Sequence, residues 1–216
     1  MKKLVLASVS VLALMSTTVS ARDFSVALTG GTIGAGLEAT TNITHSINIR
    51  GIVAGFSYSQ SGSSGDVNYD AKANLFNAGV LLDYYPFETV FRLSAGAMYN
   101  GTKVTVDGKP NGSTYTLNGV TYTAAQVGTV SGEVKYNKVM PYVGFGFANP
   151  MKGSNFTFGM DIGAMIGTPD ATLTATNPTN DATLASNVAV EQQKLQDDAN
   201  KFVAYPVVTV SLGYRF

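Results

Sequence analysis

The stretch Phe202-Val203-Ala204-Tyr205-Pro206-Val207-Val208-Thr209-Val210-Ser211-Leu212-Gly213-Tyr214-Arg215-Phe216 decides the fold. Phe202, Ala204, Pro206, Val208, Val210, Leu212, Tyr214 and Phe216 fall on one face of an extended chain, with Tyr205, Thr209, Ser211, Gly213 and Arg215 opposite. Successive side chains of a strand point to opposite faces, so this is one apolar face backed by small or polar residues. Hydrocarbon cannot satisfy an open sheet edge. A strand built to face lipid must therefore belong to a closed barrel.

The beginning of the chain agrees. Met1-Lys2-Lys3 is a short cationic start, Leu4 to Leu14 is apolar, and Val19-Ser20-Ala21 is a small-residue cleavage site, so residues 1–21 read as a secretory signal and residues 22–216 as the mature barrel domain. The apolar run is shorter than the roughly 20 residues a spanning helix needs, and no later run approaches that length. Loss of Lys2 and Lys3 turns a formal net charge of +0 slightly acidic, which argues against a nucleic-acid partner. With no cysteine, thiol catalysis, disulfides and cysteine metal sites are excluded; His45 is the sole imidazole. A soluble lipocalin-like barrel has similar strands, but the export signal and the aromatic end favour the membrane.

Alternation and turn signals give a series of hairpins. Ile33, Ala35, Leu37 and Ala39 face outward and Glu38 and Thr40 inward; after a tight turn at Asn42 to His45, Ile47, Ile49 and Val53 continue outward against Asn48 and Arg50. A Ser/Gly-rich loop is expected from Ser59 to Gly65. In Val67 to Asp83 the apolar parity changes from Tyr69, Ala71, Ala73 and Leu75 to Ala78, Val80, Leu82 and Tyr84, which predicts a bulge near Phe76. Tyr85-Pro86-Phe87 turns the chain into a strand with Phe91, Leu93, Ala95, Ala97 and Tyr99 outward and Arg92, Ser94 and Gly96 inward.

Residues 101–132 read as a long, partly structured loop with turn signals at Lys109-Pro110-Asn111-Gly112 and Asn118-Gly119 and a small hairpin over Tyr115 to Tyr122. Val134 to Ala148 and Asn155 to Ile166 form the next hairpin. A second excursion, 167–200, holds an amphipathic helix after an Asn180 or Asp181 cap, with Leu184, Val188, Leu195 and Phe202 near helical spacing in the stretch Ala182 to Phe202. Seven strands are counted directly. Asp23 to Thr29, turned at Gly30-Gly31, supplies an eighth unless Asp23 to Ala39 is one long bulged strand. The expected fold is thus an all-β, antiparallel up-and-down transmembrane barrel of eight strands with a helix in a long external loop. Short turns belong inside and long loops outside.

Gly31 to Glu38, the Arg50 strand, Asp83-Tyr84-Tyr85-Pro86-Phe87, Phe91 to Gly96, Tyr99-Asn100-Gly101, Pro141 to Gly146 and Tyr205 to Phe216 resemble a family of small proteobacterial outer-membrane proteins with an OmpA- or OmpW-like barrel. The resemblance spans nearly the whole mature chain. It implies location in the outer membrane and a barrel fold, and it carries no catalytic residue. Leu212, Tyr214 and the terminal Phe216 resemble the C-terminal signal by which such barrels reach their insertion machinery.

On these parities Glu38, Arg50, Asp70, Lys72, Asp83, Arg92, Asp161 and Arg215 point into the lumen, with Asp83 near Arg92 across the Tyr85-Pro86-Phe87 turn. An eight-stranded interior is just wide enough to be filled by side chains, and buried charges must be paired, so a structural ion-pair network closing the pore is the first reading. A narrow solute path lined by the same charges is the second, favoured by many inward glycines.

Enzymatic chemistry finds no support: His45 stands in a short turn beside Ser46, and neighbours on a strand point apart. Gly31-Thr32-Ile33-Gly34-Ala35-Gly36 lies in a strand and opens no helix, so it is not a dinucleotide loop. Asp66, Asp70, Asp107, Asp170, Asp181, Asp197 and Asp198 have no calcium-loop spacing. No catalytic, cofactor or metal residue is assigned. Tyr58, Tyr69, Tyr84, Tyr99, Tyr136 and Tyr214 are candidates for the two membrane interfaces. The functional expectation is a monomeric structural or surface-interaction protein presenting its loops to lipopolysaccharide or a surface partner, with an OmpW-like channel or hydrophobic-solute conduit as the alternative.

Overall fold

The structure is a computed structural model describing residues 24–64, 67–110 and 114–216. The expected signal over 1–21, the mature start at Arg22, and the readings at Asp66 and at Asn111-Gly112 lie outside the described residues. The strands are β1 (Phe24–Gly31), β2 (Gly34–Thr44), β3 (Ile47–Ser64), β4 (Val67–Tyr84), β5 (Phe91–Asn100), β6 (Lys103–Pro110), β7 (Thr114–Leu117), β8 (Val120–Thr123), β9 (Val130–Tyr136), β10 (Val139–Phe147), β11 (Phe156–Ile166), β12 (Pro169–Ala175) and β13 (Ala204–Arg215). Helix α1 (Ala124–Val127) follows β8, and α2 (Ala182–Ala199) precedes β13.

Antiparallel pairing runs β4-β3-β2-β1-β13-β11-β10-β5, and β5 pairs again with β4, so eight strands form a closed ring. β1 is a separate strand between β2 and β13, which settles the choice left open for Asp23 to Ala39. The β1–β2 connection turns at Thr32 and Ile33, where Gly34 adopts φ 106° with its Cα packed against the Gly55 backbone; a side chain there would be strained and would collide. That turn swings Ile33 into the interior, 1% exposed, against its expected outward parity.

Around the ring one parity is apolar and bare: Leu28, Val80, Val143, Phe158, Val210 and Leu212 are all at least half exposed. The opposite parity is buried and holds the charges. A soluble barrel would show the reverse; this exterior suits hydrocarbon. Its aromatic residues gather at the two rims, Phe76 and Tyr99 stacked edge to face at one and Phe156, Tyr214 and Phe216 at the other. Of the tyrosines expected at the interfaces, Tyr84, Tyr99 and Tyr214 point outward, whereas Tyr69 lies over Gly62 and Tyr136 packs edge-on against Tyr205.

Four expectations are corrected at the long-loop end. The segment Ser59 to Gly65 is strand up to Ser64: β3 and β4 pair without interruption from Ile47↔Tyr84 to Ser64↔Val67. No bulge occurs at Phe76, because the change of apolar parity marks where β4 leaves the lipid and its outward face becomes polar. Lys72 is accordingly exposed, and Asp70 shares its face, so neither lies in the lumen. Val134 to Ala148 is broken at Asn137-Lys138, β10 staying in the ring while β9 leaves it.

The upper part of β4 pairs with β6, β6 with β9 and β9 with β12, extending the sheet beyond the ring. Lys103–Glu133 at 2.7 Å and Lys135–Asp170 at 3.2 Å cross these strands. The β7–β8 hairpin turns at Asn118-Gly119 as expected. Asp181 caps α2 by accepting the amides of Thr183 and Leu184. Leu184 and Val188 are buried with Tyr122 and Val127, so the helix closes over the 114–130 segment; Leu195 is half-buried. Asn118 clamps the two together, its amide donating to Glu191 and its side chain to Asn187.

The last strand completes the ring, and the Phe216 amide donates to the Phe24 carbonyl at 3.0 Å. Deleting Phe216, or replacing it with Asp, is expected to cut the yield of assembled barrel, because it removes both that bond and the aromatic end of the closing strand. Heat-modifiable gel mobility of outer-membrane fractions measures this; unchanged folded protein would remove the terminal residue from the assembly signal.

Candidate functional site

Inward residues from seven ring strands, β2, β3, β4, β5, β10, β11 and β13, fill the interior in two layers. Toward the short-turn end lies a charge layer. Arg50, on β3 and 2% exposed, sits among three carboxylates: its Nε is 2.9 Å from Asp83 Oδ2, and its Nη1 is 3.0 Å from Asp161 Oδ2 and 3.3 Å from Glu38 Oε2. The Nε–H does not aim along the line to Asp83, so that contact is an ion pair without a hydrogen bond, while Arg50 Nη2 donates to Asp83 Oδ1 at 3.0 Å. Ser94 donates to Asp83 at 2.6 Å. Arg92 belongs to Asp161, with Nη2 at 2.7 Å from Oδ2 and Nε at 3.1 Å from Oδ1.

Asp83 and Arg92 lie near each other as expected from the turn, in an ion pair longer than the one Arg92 makes with Asp161. The two approach only to 4.0 Å, because Asp83 faces Ser94 in the β4–β5 register and Arg92 reaches across the lumen to β11. Arg215 is not in the network. It sits at the rim, half-buried, and its Nη2 donates to the Gly153 carbonyl at 2.8 Å. Glu38, Arg50, Asp83, Arg92 and Asp161 are brought together as the parities required.

Below them the short-turn end is sealed. Asn48 donates to the Tyr85 hydroxyl, and Tyr85 and Arg92 both donate to the Ala148 carbonyl, at 3.1 and 3.0 Å. Outside this seal, the exposed Glu88 carboxyl is held below its usual range chiefly by its hydrogen bond from Lys152. His45 occupies its turn, and Ser46 there donates to Glu88.

Toward the long-loop end the same inward face becomes apolar. Ile33, Ile52, Leu81, Met98, Met140, Tyr142, Met165 and Val207 pack as one buried cluster. The signal lies in the strands themselves: Arg50 is followed at its own parity by Ile52, Asp83 preceded by Leu81, and Arg92 followed by Met98. Apolar alternation marks the lipid face, so apolar residues of the opposite parity do not stand out as lumenal in the sequence. The inward glycines are not open space. A Cβ at Gly146 would lie 2.3 Å from Asp161 Oδ1, and one at Gly144 or Gly163 would lie 2.5 Å from the Tyr142 hydroxyl, so these glycines make room for the filling. Between the two layers remains a cavity of about 10 Å³, bounded by Arg50, Asp161 and Ile52 among others, which is room for one water.

No protein-family model matches this sequence, and no characterised protein matches it by sequence. Its fold is similar to that of solved structures. Acinetobacter baumannii CarO2 aligns with a TM-score of 0.63 at 21% identity over 90% of this chain and 98% of that one; Acinetobacter baumannii CarO aligns with 0.58 at 20% identity over 89% and 97%. A major outer membrane protein from Thermus thermophilus aligns with 0.45 at 14% identity over 90% and 98%. The likeness covers nearly the whole length of the two Acinetobacter proteins.

Arg92→Ala leaves Asp161 and Arg50 in a cluster with one more uncompensated negative charge. The expected loss of barrel stability is about 3 kcal/mol, and adding Asp161→Asn should recover part of it. The same cycle with Asp83→Asn should show a weaker coupling, because that pair approaches only to 4.0 Å. Urea unfolding of the refolded barrel in detergent measures both; strong coupling to Asp83 and none to Asp161 would overturn this pairing.

Proposed function

We propose that this chain is a monomeric outer-membrane β-barrel that acts as an anchor for a surface-exposed interaction module, with no enzymatic activity. The observation that carries the reading is the filled lumen: a charge layer and an apolar layer lie in series across the ring. Lipid-facing aromatic rims, the closed ring and the fold likeness support the location. The resemblance of the quoted strand and turn segments supports an OmpA- or OmpW-like affiliation. Leu212 and Tyr214 point to lipid beside Phe216, as a segment read by insertion machinery would.

On this reading the short turns lie in the periplasm and the extension outside. That module is ordered on its own account. One sheet edge, β12, is shielded by α2: Gln196 Nε2 donates to the Pro169 carbonyl at 2.9 Å, and the Ala171 amide donates to Gln196 Oε1 at 2.7 Å, so one amide side chain stands in for a neighbouring strand. At the other edge, β3 beyond Gly55 pairs, among the described residues, only with β4, and Phe56 and Tyr58 are half exposed beside it. An uncovered strand edge with aromatic neighbours is a surface for lipopolysaccharide sugars or a partner chain. The conduit alternative requires both interior layers to part.

Replacing residues 57–74, 101–138 and 167–203 by short turns joins each ring strand directly to its neighbour. The trimmed protein is expected to assemble with normal heat-modifiable mobility and to lose binding to lipopolysaccharide-containing vesicles or cell surfaces shown by the intact chain. Binding retained by the trimmed barrel, or discrete conductance steps from the intact one that change with Arg50→Ala, would replace this function with the barrel-centred one.

A further inference from the structure

The charge layer does not balance. Two guanidinium groups, Arg50 and Arg92, face three carboxylates, Glu38, Asp83 and Asp161, all at most 4% exposed. One surplus negative charge removed from water is too costly to stand alone. Its place can be read from the contacts. Asp161 takes both arginines, and Asp83 takes Arg50 and Ser94. Among the described residues Glu38 bonds only to Arg50, through Oε2 at 3.3 Å, and its buried Oε1 has no hydrogen-bond partner there.

Beside Glu38 lies a pocket of about 20 Å³, the size of one water molecule or a small ion. Its lining includes four hydroxyl-bearing residues, Ser25, Thr40, Thr157 and Ser211, with Arg92 at one side. We propose that this pocket is a binding site for a single small monovalent cation of sodium size, held by the Glu38 carboxylate and these hydroxyl oxygens. Carboxylate and hydroxyl oxygens are hard donors that suit such an ion. The surplus is one unit and Arg92 stands close, so a monocation neutralises the layer where a dication would overcharge it. Arg92 does not itself neutralise Glu38, because its donors are committed to Asp161 and the Ala148 carbonyl. The site is independent of what the external module binds.

The test uses the mature barrel refolded in detergent at pH 8 and fixed ionic strength, with choline chloride replaced stepwise by sodium chloride and unfolding followed by circular dichroism. Sodium is expected to stabilise the wild type with saturation, raising the folded-to-unfolded ratio about tenfold at about ten times its dissociation constant. Glu38→Gln should remove the response and equal or exceed the wild type in choline, since it deletes the surplus charge. Ser211→Ala keeps the charge and loses a ligand, so its sodium titration should shift to higher concentration. Equal stability of the wild type in sodium and choline overturns the proposal, as does a full sodium response in Glu38→Gln. So does stabilisation in choline on lowering the pH from 8 to 5 that Glu38→Gln abolishes without any sodium response in the wild type; a proton shared among Glu38, Asp83 and Asp161 beside Arg50 and Arg92 then carries the balance.

Discussion

Within hydrocarbon no backbone N–H or C=O finds a partner unless another strand supplies it, and the rest of this structure follows from that constraint. Two pairings meet it, β1 with β13 and β4 with β5, because without either the ring has an open edge. β4 shows where the constraint ends. Its residues Asn77 to Tyr84 pair with β5, and Val67 to Asn74 pair with β6, the exchange occurring around Leu75 and Phe76. Phe76 stacks on Tyr99 at that height, marking the rim. Beyond it water can satisfy an edge, and the sheet is free to spread sideways through β6, β9 and β12.

Closing eight strands leaves an interior that side chains must fill, and the charged half of that filling calls for explanation. A buried ion-pair layer gains little over apolar packing, yet breaking one partnership leaves a stranded charge. The carboxylates around Arg50 come from β2, β4 and β11, and Ser94 comes from β5. A slip of one residue in any of these strands would turn a charge toward lipid and its apolar neighbours inward. The layer therefore penalises wrong registers across half of the ring at once, which apolar side chains, interchangeable with the lipid tails, would do weakly.

Much of this was legible because lipid imposes a strict rule on alternate residues. Val208 to Phe216 alternates without exception, and β5 places Arg92, Ser94 and Met98 inside as its pattern requires. The rule misleads where lipid is absent. In Val67 to Leu75 the apolar parity belongs to the inner face of an extramembrane sheet, so a continuous strand read as a bulged one. It also misleads at turns, as at Ile33, where one left-handed glycine reverses the facing. Within the site, parity identified five of the interior charges but not their partners: Arg92 chooses Asp161 over Asp83 through the curvature of the ring, a distance that no spacing along the chain encodes. Arg215 kept its inward parity yet lies one step past the ring, where a rim carbonyl takes it. The strands of the extension, rich in Thr, Gly and Val with charges of both signs, have no lipid-facing stripe and so read as loops.

The two interior layers differ in what moving them would require. Met98, Met140 and Met165 are unbranched side chains with several rotamers, and they can rearrange within an apolar layer at modest cost. The layer below them cannot yield in that way. Arg50 holds groups from four strands, and Arg92 is fixed to Asp161 and to the Ala148 carbonyl beside the Tyr85 hydroxyl. A solute crossing the ring would have to separate charges that have no water to turn to, and the separated charges would be the ones that hold the strands in register. The features that close the interior are thus the same features that keep the barrel assembled.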